Sequence, residues 1–141
     1  MQMTIKDIIY AYGHHNILCT HDSTIELTKD KTLTRKGNCI LGVNASKACF
    51  DLNPELKELI KKGKKVKITI KIENLIENFY GYGHKDLKLL DTKDIVFRKS
   101  TYTCNRTVLI SCTKSSSDLN RELIEKIKAS KEKFIIILEV V

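Results

Sequence analysis

Residues 13–22, GHHNILCTHD, bring together side chains that could bind a polar ligand or transfer a proton. They include three of the chain's four histidines and one of its five cysteines. If residues 14–26 form one strand, His14, Asn16 and Thr20 fall on a common polar face, because alternate strand residues point to the same side. We predict that these three side chains bind a ligand. The alternative is an ordinary solvated face of an antiparallel sheet.

Residues 98–107, RKSTYTCNRT, contain two of the four arginines and no acid. The planar guanidinium group suits phosphate or carboxylate, and hydroxyl donors add to such a site. We therefore predict that an anionic ligand is bound by Arg98, Lys99, Ser100, Arg106 and Thr107. The alternative is a polar loop whose arginines pair with acids elsewhere in the chain.

Lys114 and three serines directly precede a predicted helix that begins near Asp118. The first backbone N–H groups of a helix and the positive end of its dipole attract anions. Lys114 therefore joins the predicted ligand-binding set. Ordinary helix capping by a serine is the alternative, and Asp118 already occupies part of the positive field.

Residues 61–67, KKGKKVK, form the densest basic run. Nucleic-acid binding requires such a run near exposed aromatic rings, and Phe79, Tyr80 and Tyr82 could lie on a neighbouring strand. The sequence thus also suggests RNA as a partner for a lysine stripe over residues 61–71. The alternative is a solvated basic surface.

No metal or cofactor is expected. Cys19 and His21 could supply two metal ligands, but a closed zinc site needs four and no second pair of ligands follows. The sequence has no nucleophile elbow, phosphate-binding loop or zinc-protease motif. On strand parity His15 and His21 fall on the apolar side, where we expect hydrogen-bonded core histidines.

The chain of 141 residues, 42% of them hydrophobic, is long enough for one domain with a substantial core, which we expect to span residues 1–141. Strand patterns cover residues 4–12, 16–28, 39–43, 66–72, 78–82, 87–90, 95–99, 107–113 and 133–140. Asn53-Pro54-Glu55 and Ser117-Asp118 begin two helices, and a short helical turn is possible within residues 44–50. We predict a mainly β fold, an antiparallel sandwich or barrel with two or three peripheral helices.

The formal charge of +8 comes from 21 lysines and four arginines against 17 acids, and it favours anionic partners. No signal peptide and no apolar run long enough for a membrane span are present, so we expect a cytoplasmic protein without a membrane partner.

Tyr-Gly-His occurs at residues 12–14 and again at 82–84, 70 residues apart. This separation, half the chain, hints at a duplicated half, but we favour chance because the flanking residues do not match, and repeated turn chemistry would produce the same echo.

The chain resembles the archaeal domain-of-unknown-function family 371 along essentially its whole length. The matching residues are Gly13-His14-His15-Asn16, Thr20-His21, Thr24-Ile25-Glu26, Leu33-Thr34, Gly37-Asn38-Cys39-Ile40, Arg98-Lys99-Ser100, Arg106-Thr107, and Thr113-Lys114-Ser115-Ser116 before Asp118-Leu119. The resemblance implies a β-sandwich-like fold with helices at the edges and an archaeal cytosolic protein, and it implies no activity. Asn38 and Thr113 stand where the family pattern has aspartate, which argues against an acid-dependent site.

These matches coincide with the three polar clusters, and we therefore predict one shared site. The leading hypothesis is a binding module for an anionic, phosphate-bearing ligand, either a small metabolite or RNA. The alternative is a small enzyme that acts on a phosphorylated or carboxylated substrate. It would use His14 or His21 as general base, with Arg98 and Arg106 stabilising negative charge.

Overall fold

A computed structural model describes residues 4–141, which form eight β-strands and two α-helices. Two 3₁₀ turns, Cys49–Asp51 and Ser116–Asp118, precede the helices. The elements in chain order are β1 (Lys6–Tyr12), β2 (Thr24–Thr28), β3 (Ile40–Gly42), α1 (Pro54–Lys61), β4 (Lys65–Ile72), β5 (Leu75–Tyr82), β6 (Asp94–Arg98), β7 (Thr107–Leu109), α2 (Arg121–Ala129) and β8 (Lys133–Val140). No helix within residues 4–141 is long and apolar enough to cross a membrane.

The strands form two four-stranded sheets. The first, which we call the open sheet, has the order β1-β8-β4-β5 and is antiparallel throughout. The second, the covered sheet, has the order β3-β2-β6-β7, with an antiparallel central pair and parallel outer pairs. Phe79 of β5 and Phe97 of β6 meet edge to face, with ring centroids 5.7 Å apart, so the two sheets pack against each other. The prediction of a mainly β, sandwich-like fold is confirmed.

Alternation of apolar and polar residues explains the open sheet. In β4, Val66, Ile68 and Ile70 are fully buried, while the intervening lysines and Thr69 point away from the core. All five residues of β2, by contrast, are buried, because loops cover the outer side of that sheet. Two hydrogen bonds fix the loop of residues 29–39. Asn16 Nδ2 donates to the Leu33 carbonyl oxygen, and the Thr20 N–H donates to the Asn38 carbonyl oxygen.

Both helices begin at the residues that the sequence predicts or close to them. Asn53 caps α1 by accepting a hydrogen bond from the Glu55 N–H, and Pro54 occupies the first helical position. Asn120 caps α2 in the same way, so this helix begins three residues after the predicted start. The residues near Ser117 form the preceding 3₁₀ turn instead.

The two halves of the chain share one fold. Residues 6–72 and 75–140 each run strand, loop, strand, strand, 3₁₀ turn, helix and strand. The uncommon left-handed backbone conformation recurs at matching positions, with φ of 50° at Cys19 and 54° at Leu89. Attributing the repeated Tyr-Gly-His to chance was therefore wrong, because it marks the same strand end in both halves.

The repeated glycines hold the halves together. A Cβ on Gly13 would lie 1.8 Å from the carbonyl oxygen of Ile127 in α2, and one on Gly83 would lie 1.8 Å from that of Ile60 in α1. Each half therefore places its Tyr-Gly-His turn against the last helical turn of the other half. Only glycine fits at so close an approach of two backbones.

The strand predicted over residues 16–28 is wrong in its first part. Only Thr24–Thr28 is strand, and residues 13–23 form turns in which the His14 carbonyl accepts from the Ile17 N–H. The matching prediction of a strand at residues 87–90 fails for the same reason. In each case a residue with positive φ, Cys19 or Leu89, breaks the extended chain.

Candidate nucleic-acid interface

The side of the open sheet that points away from the core carries tyrosines, lysines and isoleucines. Strand alternation and the pairing register place these side chains on one surface. We call this surface the tyrosine–lysine face. It comprises Lys6, Ile8, Tyr10, Tyr12, Lys65, Lys67, Thr69, Lys71, Ile76, Asn78, Tyr80, Tyr82, Lys133, Ile135, Ile137 and Glu139.

The face is strongly basic. It contains five lysines, and Glu139 is its one acid, lying in register between Lys6 and Lys67. Within residues 4–141 none of these five lysines forms an ion pair with a carboxylate. The face therefore holds an excess of four positive charges that the described part of the chain does not neutralise.

Two lysine–tyrosine pairs lie at diagonally opposite corners of the face. Lys133 Nζ is 4.3 Å from the ring centroid of Tyr10, and Lys65 Nζ is 4.7 Å from that of Tyr80. These are distances at which a cation is attracted to a ring face. Each pair takes its tyrosine from one half of the chain and its lysine from the other, so the duplication relates the two pairs.

The sequence suggested that β4 and β5 would be neighbours, and they are. Lys65 pairs with Tyr82 and Lys67 with Tyr80, although Phe79 points inward and is buried. Sequence reasoning missed Tyr10 and Lys133, which β1 and β8 bring to the same face. The alternation of charged or aromatic residues with apolar ones in Lys6–Tyr12 and Lys133–Val140 was the available signal.

Lys99 and Lys114, both in the predicted anion site, form ion pairs that recur in the other half. Lys99 Nζ lies 2.8 Å from Asp118, as Lys29 Nζ lies 2.6 Å from Asp51. In the same way Lys114 Nζ lies 2.8 Å from the largely buried Glu77, as Lys47 Nζ lies 2.7 Å from Asp7. Because both halves contain these pairs, they hold the 3₁₀ turns and helix starts in place.

Arg106 is engaged with two buried acids. Its Nη1 lies 3.1 Å from Asp94 Oδ2 and 3.4 Å from Glu26 Oε2. These groups line a cavity of about 230 Å³ together with Thr28 and residues of the 29–39 loop. Arg106 therefore pairs with acids elsewhere in the chain, which was the alternative to ligand binding. The sequence alone did not identify Glu26 and Asp94 as its partners.

Arg98 lies in a different setting. Its Nε donates to Thr107 Oγ1 at 2.8 Å, its Nη2 approaches Cys104 Sγ at 3.4 Å, and its guanidinium lies 4.9 Å from the Tyr102 ring centroid. Within residues 4–141 Arg98 has no carboxylate partner. Ser100 is exposed and accepts a hydrogen bond from the Tyr102 N–H.

Cys104 differs from the other thiols. Burial raises its pKa, but hydrogen bonds from Thr107, the Arg106 N–H and Arg98 outweigh burial and bring the pKa down to about 7. Burial raises the pKa of Cys39 to about 11, and that of Cys49 and Cys112 to about 12.

All five cysteines are free. Within residues 4–141 no three His, Cys, Asp or Glu side chains are grouped as metal ligands.

Within residues 4–141 the cavity that His14 lines includes neither Arg98 nor Arg106. His14 lines a separate cavity near the end of α2, and its ring stacks on His15 at 4.3 Å. Asn16 holds the 29–39 loop and Thr20 is exposed. Ligand binding by these residues stays a prediction, although within residues 4–141 His14 and Arg106 line two different cavities.

The candidate general bases have one ring nitrogen engaged. His14 Nδ1 accepts from the Asn16 N–H, and His21 Nδ1 accepts from the N–H groups of Ser23 and Thr24. The expectation that His15 is a core residue is wrong, because its side chain is exposed. His21 is partly buried and stabilises the turn before β2.

These features define a duplicated, two-sheet protein with one open basic face. The chain belongs to the family described as Domain of unknown function (DUF371), whose sequence profile matches residues 9–141. It is also 44% identical over 125 residues to an uncharacterised protein of the archaeon Methanocaldococcus jannaschii. That alignment covers 89% of this chain and 93% of the relative.

Proposed function

We propose that the protein binds single-stranded nucleic acid on the tyrosine–lysine face. The observation that carries this proposal is the set of five lysines that form no ion pair within residues 4–141, interleaved with tyrosine rings on an open sheet. Lysines attract the phosphate backbone, and exposed rings stack on unpaired bases. Because a duplex hides its base faces, a stacking surface favours single strands.

The positions of the two lysine–tyrosine pairs agree with a polymeric ligand. Tyr10 and Tyr80 are three strand spacings apart across the sheet and about four residues apart along it. With strands ~4.8 Å apart and ~3.3 Å per residue, the diagonal between them is roughly 20 Å. A single nucleotide cannot span that distance, whereas a strand of several nucleotides can.

Fluorescence anisotropy with labelled oligonucleotides of roughly 12 nucleotides tests the proposal, using single-stranded RNA, single-stranded DNA and a duplex. We expect the single strands to bind more tightly than the duplex. Each lysine–phosphate contact contributes about −0.7 to the slope of log affinity against log salt concentration. Lys67→Glu with Lys71→Glu should therefore weaken binding and reduce the slope by about 1.4.

A matched control is Lys31→Glu with Lys36→Glu, which makes the same charge change on the loop over the covered sheet. Both lysines are exposed there, away from the tyrosine–lysine face. If the two double variants lose affinity equally, the binding is a response to net charge and the proposed face is wrong. Binding of anionic lipid vesicles with no oligonucleotide binding would also contradict the proposal.

The second candidate is a small anionic ligand at Arg98. Its guanidinium lies over the Tyr102 ring and has no carboxylate partner among the residues that the structure describes. This retains one part of the sequence-predicted site. Calorimetry with nucleotides, sugar phosphates and dicarboxylates tests it. Arg98→Met should abolish any binding found, and binding left unchanged in that variant would eliminate the candidate.

A further inference from the structure

A cavity of about 580 Å³ lies where the first Tyr-Gly-His turn meets the end of α2. We call it the end pocket. Its polar lining consists of Tyr12, His14, His15, Lys128, Ser130 and Lys131. No carboxylate is among its lining residues, and within residues 4–141 neither Lys128 nor Lys131 is in an ion pair.

The hydrogen bonds around the end pocket leave donors for a ligand. His14 Nδ1 accepts from the Asn16 N–H at 3.0 Å, so a neutral His14 carries its proton on Nε2. Burial and then the neighbouring His15 lower the pKa of His14, which favours that neutral form. Ser130 Oγ accepts from the Glu132 N–H at 3.0 Å, which leaves the hydroxyl hydrogen to be donated.

Charge in the end pocket favours an anion. The carboxyl end of α2 contributes about half a negative charge, whereas two lysines contribute two full positive charges. A cavity of the other half, near the end of α1, shares only two corresponding positions with the end pocket, Lys61 and Lys85, and its lining includes the carboxylate of Asp86.

The end pocket adjoins the tyrosine–lysine face. Tyr12 lines the pocket and pairs with Lys133 in the same sheet, and Lys133 lies over the ring of Tyr10. A strand that stacks on Tyr10 therefore has the pocket at the end of its path. A terminal phosphomonoester carries more negative charge and more free oxygens than a backbone phosphodiester, which suits a pocket of several donors.

We propose that the end pocket binds the terminal phosphate of the nucleic acid that lies on the tyrosine–lysine face. This inference rests on the proposed function and adds recognition of a strand end to it. His14 Nε2, the Ser130 hydroxyl and the ammonium groups of Lys128 and Lys131 supply the donors. The chemistry recognised is a phosphomonoester, whose source is either a strand terminus or a free nucleotide.

Competition anisotropy with one oligonucleotide sequence, ending in a 5′-phosphate, a 3′-phosphate or hydroxyls only, tests the inference. A mononucleotide and inorganic phosphate are the free-ligand arms. We expect one of the two phosphorylated oligonucleotides to bind about tenfold more tightly than the hydroxyl form, as charge-assisted hydrogen bonds to one phosphate would give. The free ligands should compete far more weakly than either oligonucleotide.

Substitutions in the end pocket test whether it is the source of the gain, by which we mean the tighter binding of a phosphorylated oligonucleotide than of the hydroxyl form. Lys128→Gln with Lys131→Gln should abolish it, and so should His14→Asn, which retains an acceptor close to the position of Nδ1 but lacks the Nε2 donor. The controls are Lys61→Gln and His84→Asn in the other half. They should leave the gain intact, and thermal unfolding of every variant checks that it is folded.

Equal affinity for phosphorylated and hydroxyl ends overturns the terminal-phosphate inference while leaving the proposed function in place. A gain that survives the Lys128 and Lys131 substitutions overturns it as well. Binding of the mononucleotide or inorganic phosphate without any oligonucleotide binding contradicts both proposals, and it would assign the pocket to a free phosphomonoester. Loss of the gain in the end-pocket variants alone supports the inference.

Discussion

The ammonium nitrogen of Lys133 lies 4.3 Å from the centre of the Tyr10 ring, and the pair lies on the open side of a four-stranded sheet. The pair of Lys65 and Tyr80, at 4.7 Å, is its counterpart by the duplication, with the lysine and the tyrosine again taken from different halves of the chain. A positive charge beside an exposed aromatic ring can contact both the phosphate and the base of one nucleotide. The duplicated fold places a lysine over a tyrosine ring twice on one surface, with an exposed ring at Tyr10 and a half-buried ring at Tyr80.

Replacing the rings while retaining the charges separates stacking from electrostatic attraction. Tyr10→Leu and Tyr80→Leu should each weaken oligonucleotide binding by about 1–3 kcal/mol, because each removes one stacking surface. Tyr10→Phe and Tyr80→Phe retain the rings and should bind like the wild type. Anisotropy titration measures both sets, and leucine variants that bind as well as the phenylalanine variants would contradict base stacking.

Gly13 and Gly83 should be equally intolerant of a side chain. A Cβ at either position would lie 1.8 Å from a helix carbonyl oxygen, so we expect each alanine variant to lose at least about 3 kcal/mol of unfolding free energy. Gly37→Ala is the control, since its nearest obstacle is a side-chain carbon at 3.4 Å. Urea unfolding measures all three, and a mild effect at Gly83 with a large one at Gly13 would contradict the equivalence of the halves.

Arg106 stabilises two buried acids, and its removal leaves them without a counter-charge. We expect Arg106→Leu to lower the unfolding free energy by about 2 kcal/mol, less than for a fully buried ion pair because the Arg106 side chain is 40% exposed. Adding Glu26→Gln and Asp94→Asn should restore much of the loss. A triple variant no more stable than Arg106→Leu alone would show that the carboxylates are not the cause.

Cys104 should be the fast-reacting thiol. With its pKa near 7, about half of it is thiolate at pH 7, whereas the other four cysteines have pKa values above the ordinary 9.0. Its alkylation rate should therefore rise up to about pH 7–8 and then level off. Arg98→Met should raise the pKa and slow the reaction at pH 7 several-fold, because the hydrogen bonds from Thr107 and the Arg106 N–H, which lower the pKa more, remain. Peptide mass spectrometry after iodoacetamide treatment measures this, and preferential labelling of any other cysteine would contradict it.

Local signals in the sequence were enough for much of the fold. Strict alternation predicted β4 to within one residue and gave the bounds of β8, and the cap at Asn53 gave the start of α1. The same reasoning extended β2 over residues 16–23. It failed there because contacts with the distant Asn38 backbone and a positive φ at Cys19 decide the conformation.

The candidate site was less accessible from the sequence. Lys99 and Lys114 looked free because their partners, Asp118 and Glu77, come close only when separate elements pack. The duplication was concealed because matching positions often differ in residue type while retaining a role, as Asp7 and Glu77 do. Recognition of that repeat would have marked both lysines as structural.

The most direct test of the central claim is a two-dimensional ¹⁵N NMR titration of the protein with a single-stranded oligonucleotide. We expect the largest amide shift changes in β1, β4, β5 and β8, at residues of the tyrosine–lysine face, with little change in residues 29–39 and 99–106. Changes confined to those two loops, or no change at saturating oligonucleotide, would contradict nucleic-acid binding by the open sheet.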